Sequence, residues 1–305
     1  MRNCDRSFAA VCRRLTGRLL SLIAPVIFLS TIAMSQNTPC KFDPATLQFA
    51  GGPLEQALCL LRPNLIGGKL ENQLKKLPDP LPKLIGSDSR IDGDKLRKFL
   101  ADRKISEESI GGALDLPLST AKLADGSTVA ALYFVIHDTS TPYLGDADFP
   151  PDLDSNPKAR GNNLAVWVNQ PVAHVFVNRL GESLTTTPFA EAVRKGWGTK
   201  FARDFLKADG KGFQLHIELV QPRRRDPSVP NPTNDRIAPE PGFSEAQYRR
   251  LAVLYVAASY RRGSWLIPAY HSAIDAGIKD AHDDPQNFSL KKWAAELKSV
   301  LKHVR

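Results

Sequence analysis

At a strand's period of two, the apolar run in "TVAALYFVIHD" predicts a strand with Ala131, Tyr133, Val135 and His137 on one face and Leu132, Phe134 and Ile136 on the other. The segment "VAHVFVN" groups Val172, His174 and Phe176 in the same way before a turn at Gly181. In "GFQLHIELV" the apolar set Phe213, Leu215, Ile217 and Leu219 faces a core, while Gln214, His216 and Glu218 share the opposite face. A helical period then takes over in "FSEAQYRRLAVLYVAASYRRG", opened by a capping box of Ser244 and Gln247 and closed by Gly263, with Arg261 and Arg262 complementing the helix dipole. A short strand, "SWLIPAY", leads to His271, and "LKKWAAELKSVLKHV" makes a terminal helix. Strands mixed with helices from about residue 121 onward predict an α/β domain over 121–305, long enough for one good core.

The stretch before it has another character. Residues 36–120 carry leucine-rich helical pieces, "PLEQALCLLRP", "KLENQLKKL" and "GDKLRKFLADR", separated by Gly and Pro, which predict a mainly helical accessory region. Within it, "LPDPLPKLIG" at 77–86 reads as a stiff connector, because closely spaced prolines favour extended backbone. Residues 1–35 read as an address: Arg13, Arg14 and Arg18 precede the apolar run Leu19 to Met34, and Ala33 and Ser35 suit a signal peptidase cutting before Gln36. The body is therefore expected in the periplasm or secreted, with no stable membrane span after cleavage.

The net charge of +9 includes five arginines and one aspartate in residues 1–35, so the expected mature chain carries about +5. That mild basicity suits an acidic polymer such as the cell wall and is too diffuse to argue for nucleic acid. The one dense cluster, Arg223-Arg224-Arg225, lies between Pro222 and Pro227 and reads as a solvated loop. Cys4 and Cys12 leave with the signal, and the remaining Cys40 and Cys59 predict one disulfide in an oxidising compartment.

Five of the six histidines fall between 137 and 282 at predicted strand ends or loops, where metal and catalytic groups are commonly presented. Zinc hydrolysis needs three protein ligands and an open position, and His137, His271 and Asp284 supply such a set. The segments "VIHDTSTP", "VAHVFVNRLGES", "LHIELV", "FSEAQYRRL", "AYHSAID" and "DDPQNF" occur in an order that resembles the type-2 N-acetylmuramoyl-L-alanine amidases, over about 137–293. The resemblance implies a central mixed β-sheet flanked by helices, with a zinc cleft at one face and peptidoglycan or its muropeptide fragments as substrate. It implies His137, His271 and Asp284 as zinc ligands, with Asp283 as the competing register for the third, and Glu218 as the catalytic glutamate. A non-catalytic peptidoglycan-binding receptor on the same fold is the alternative.

Two departures from the family pattern stand out. His216 replaces a glycine two residues before the glutamate, either lining the cleft or occupying a tolerant slot. His282 replaces a lysine two residues before the third ligand, and as an oxyanion donor it would act fully only as imidazolium. His174 matches a pocket-wall histidine, for substrate contact or core packing. Arg179 suits either a stem-peptide carboxylate or the surface.

Overall fold

A computed structural model describes residues 39–65, 69–194, 198–206 and 208–305; the predicted signal peptide and its cleavage point at Gln36 lie outside them. Three two-stranded hairpins come first: β1 (Phe42–Asp43) with β2 (Gln48–Phe49), β3 (Asn64–Leu65) with β4 (Lys69–Leu70), and β5 (Thr120–Lys122) with β6 (Thr128–Ala130). The central sheet holds β7 (Tyr133–Asp138), β8 (Val175–Val177), β9 (Ser183–Thr185), β10 (Gln214–Leu219) and β11 (Ile267–Tyr270) in the order β11-β7-β10-β8-β9. Its first four strands run parallel and β9 closes the edge antiparallel, so the predicted mixed sheet is present. The strand expected from Thr128 breaks at Ala131, because the residues before it pair with β5 and not with the central sheet.

Parallel sheets need both faces covered. One face is capped by α5 (Glu245–Arg262), on which α7 (Leu290–Val304) packs in turn. Phe134 meets Tyr255 edge-on at 5.2 Å, and Tyr255 meets Trp293 at 5.2 Å, so three layers interlock through aromatic side chains. The capping box of α5 is formed as the sequence predicts, with Ser244 Oγ accepting from Gln247 N and Gly263 ending the helix at φ 78°. Arg261 reaches beyond its own helix and donates to the carbonyls of Gly111 and Leu116, stitching α5 to the preceding region.

The opposite face is covered by the region before residue 120. Here α1 (Pro53–Leu60) packs on β11, whereas α3 (Gly93–Asp102) packs on α7 on the α5 side, and Leu60, Leu96 and Phe99 join the same core as the sheet. Tyr133 ties the two parts together: its buried hydroxyl donates to Gln56 Oε1 at 2.6 Å and accepts from Phe49 N at 2.9 Å. The expected stiff connector at 77–86 contains a helical turn, α2 (Leu81–Leu84), because Pro82 is tolerated in the first turn while Leu81 and Leu84 gain burial. Cys40 and Cys59 form the predicted disulfide. No helix among the described residues is long and apolar enough to cross a membrane.

Candidate metal centre

The register of the sheet assembles the site. Glu218 on β10 lies directly beside His137 on β7, and Tyr270 on β11 lies beside Ile136, so His271 begins one residue later at the level of His137. All three reach the carboxyl ends of parallel strands, the edge where open α/β sheets take ligands. Asp284 arrives from the connection between α6 (His271–Ile274) and α7. The face that holds the N-terminal region at its amino end thus opens at its carboxyl end into a cavity of about 710 Å³, lined by His137, Glu218, His271, His282, Trp167 and Phe176 among others.

His137, His271 and Asp284 form a buried group suited to holding a metal ion. His137 Nδ1 lies 2.9 Å from His271 Nδ1 and 3.6 Å from Asp284 Oδ2, and His271 Nδ1 lies 3.1 Å from that same oxygen. A tetrahedral ion with ligands at roughly 2.0 to 2.1 Å needs them about 3.3 Å apart, so the triangle matches one face of such a tetrahedron. Two ring nitrogens and a carboxylate oxygen are moreover the donors that zinc takes. Burial, then the neighbouring His271 and His216, holds His137 well below its usual pKa, whereas at His271 the pull of Asp284 and Asp275 overrides burial and raises it.

Each donor is held from behind. His271 Nε2 pairs with Asp275 Oδ2 at 2.9 Å, and Asp275 is itself fixed by the amides of Lys200 and Phe201. Asp275 was missed in the sequence, although its i+4 spacing from His271 was a readable signal. Asp284 Oδ2 accepts from Asp138 N at 3.1 Å. The Asp138 carboxylate, wholly buried, accepts from Arg223 Nη2 at 2.9 and 2.7 Å and from Gln286 N at 3.0 Å. Arg223 also lies 3.6 Å from Asp283 Oδ1, so one guanidinium joins the end of β7 to the loop that carries Asp283 and Asp284. This corrects the reading of the arginine run as a solvated loop: Arg223 is 0% exposed, because two distant aspartates require its charge. Burial outweighs Arg223 and, with Asp284 adding repulsion, raises Asp138 above the usual carboxylate range. Asn64 of β3 donates to the Asp283 carbonyl, so the N-terminal region also grips this loop.

Glu218 Oε1 stands 3.8 Å from His137 Nδ1, while its Oε2 is buried with no partner among the described residues. Burial, then Asp284, raises its pKa well above the carboxylate range, which suits a group that carries a proton. His282 sits at the rim, 57% exposed, its ring stacked on His271 at 4.7 Å. Burial and then His271 lower its pKa, so its neutral form is favoured over the imidazolium that the lysine comparison called for. Asp283 points to Arg223 and Gln286, which leaves Asp284 as the member of the pair in the donor triangle.

Three other predicted residues lie behind the cavity wall and not on it. His174 is fully buried, its Nε2 donating to Glu191 O and its Nδ1 accepting from His216 N, and it is placed for packing and not for substrate contact. Arg179 is neither a surface residue nor in the cleft: at 2% exposure it pairs with Asp154 and donates to the Gly242 carbonyl. His216 is 1% exposed, with Nδ1 3.0 Å from His137 Nε2. In comparisons with known proteins, no family model, curated protein or solved structure matches this chain.

Proposed function

We propose that the chain is an exported zinc amidase that cuts the amide bond between N-acetylmuramic acid and L-alanine in peptidoglycan. One observation carries the reading: a buried His, His, Asp donor triangle with an unpartnered glutamate at its edge, opening on a cavity large enough for a saccharide and peptide stem. The ordered segments that resemble the type-2 amidases supply the substrate class, and the Cys40 to Cys59 bridge fits an oxidising compartment.

His137, His271 and Asp284 would hold the zinc, which when bound polarises a carbonyl and acidifies water. The chain's own residues do the rest. Glu218 takes a proton from the attacking water and returns it to the departing alanine nitrogen. Its burial, then the facing Asp284, raises the carboxyl's pKa, which strengthens it as the acceptor in the first transfer. His282, at the rim, offers a ring N–H to the carbonyl oxygen as charge gathers there.

Mass analysis of muropeptides after digestion tests the reading. Free stem peptides alongside unsubstituted glycan are expected. Muropeptides that remain intact while bound to the protein would mark a receptor instead.

A further inference from the structure

We infer that His216 is a positioning residue that fixes the ring and the tautomer of the metal ligand His137; the inference rests on the metal-binding reading above. His137 Nδ1 is the nitrogen that faces His271 Nδ1 and Asp284, so it is the ligating atom, and a neutral ligating imidazole carries its proton on the other nitrogen. That nitrogen, His137 Nε2, lies 3.0 Å from His216 Nδ1. His216 Nδ1 must therefore accept, which places the His216 proton on Nε2, a buried nitrogen with no partner among the described residues.

The acceptor is itself held in place. His174 Nε2 donates to the Glu191 carbonyl, so its Nδ1 is free to accept the His216 backbone N–H at 2.9 Å, while His174 N donates to the His216 carbonyl. The His174 and His216 rings stack nearly parallel, 5.8 Å apart with 15° between planes. Gly198 lies beside the ring, and a Cβ there would stand 2.8 Å from His216 Nε2, so the glycine leaves the room this ring position needs. A chain of three histidines thus runs from one backbone carbonyl to the metal ligand. The two ligating histidines are supported differently: His271 by the Asp275 carboxylate, His137 by a neutral imidazole that adds no charge.

The test measures metal affinity on the whole mature chain, with zinc and with cobalt in competition against a chelator, for the native protein and for His216→Asn, His216→Gln and His216→Leu. Asn places its side-chain oxygen near the Nδ1 position, whereas Gln places it near Nε2 and Leu has no acceptor. We expect Asn to bind like the native protein with the same cobalt absorption spectrum, and Gln and Leu to bind roughly 10- to 100-fold more weakly. Four proteins that are folded and bind alike overturn the inference. Nitrogen-15 spectra of the histidines in the native zinc-loaded chain need no substitution: protons on Nε2 of both His137 and His216 are expected, and a proton on His216 Nδ1 overturns it. If the native chain binds neither zinc nor cobalt, the metal-binding reading itself fails, which the variants' behaviour cannot imitate.

Discussion

Replacing Arg223 with Met removes a wholly buried cation while leaving its partner Asp138 equally buried, with Asp283 nearby. A methionine fills most of the space but offers no donor, so Asp138 keeps only the Ser140 and Gln286 amides and the Ser140 hydroxyl. Breaking a buried pair on one side typically costs about 3 to 5 kcal/mol, because an uncompensated charge remains in low dielectric. Against a whole-protein stability of about 5 to 15 kcal/mol that is a large share. Asp138→Asn in the same background removes the stranded charge, so the double variant should be clearly more stable than the sum of the two single losses predicts. Urea unfolding of the native protein, both single variants and the double variant closes the cycle. Additive losses, or an Arg223→Met loss below about 1 kcal/mol, would refute the claim that the guanidinium neutralises Asp138.

The purified mature protein should hold about one zinc per chain, and chelation should abolish activity and lower the melting temperature; activity that survives chelation in metal-free protein would sink the mechanism. Glu218→Ala should slow turnover by about 10² to 10⁴ while zinc content and muropeptide binding persist, and near-native turnover would remove Glu218 as the proton carrier. Burial lowers His174 to about pH 4, below the usual 6.5, so between these values the unfolded chain takes up a proton that the folded chain refuses. Stability should therefore fall as pH drops from about 6.5 to 4, by up to about 3 kcal/mol from this residue, and an unfolding series in which His174→Gln leaves that slope unchanged would exclude His174 as its source.

The donor triangle was legible because its members are local words in the chain: a histidine closing one strand, another opening a helix after a second strand, and an aspartate before a proline. Glu218 was legible for the same reason, and its parallel register with His137 turned alternation on two separate strands into adjacency. Arg223 was not. Its setting between prolines looks like a surface loop, and what buries it is Asp138, 85 residues away in sequence. Arg179 failed similarly, since it is held by Asp154 and the Gly242 carbonyl, and for His174 the choice of packing over substrate contact rests on the Glu191 carbonyl, a backbone acceptor that leaves no trace in composition. Local chemistry is written in the sequence; the identity of the group that satisfies a buried charge is decided by topology.

The same distinction explains why the region before residue 120 belongs to the site although it contributes no donor to it. The face of β7 that ends in His137 begins with Tyr133, and a tyrosine hydroxyl buried there needs both a donor and an acceptor. Phe49 N and Gln56 Oε1 provide them, so the N-terminal region is anchored along the ligand-bearing face itself. At the other end, Asn64 donates to the Asp283 carbonyl, directly beside the third donor, Asp284. The donor triangle tolerates little movement, because an ion with bonds of about 2 Å is sensitive to shifts of a few tenths of an ångström in any ligand. A loop such as 281–287 has no regular structure of its own to supply that precision. It takes it from outside holds that include Asp138 with Arg223, Ser272 N on the Asp284 carbonyl, Gln221 Nε2 on the Gln286 carbonyl, and Asn64, and of these only Asn64 comes from the region that carries no catalytic motif.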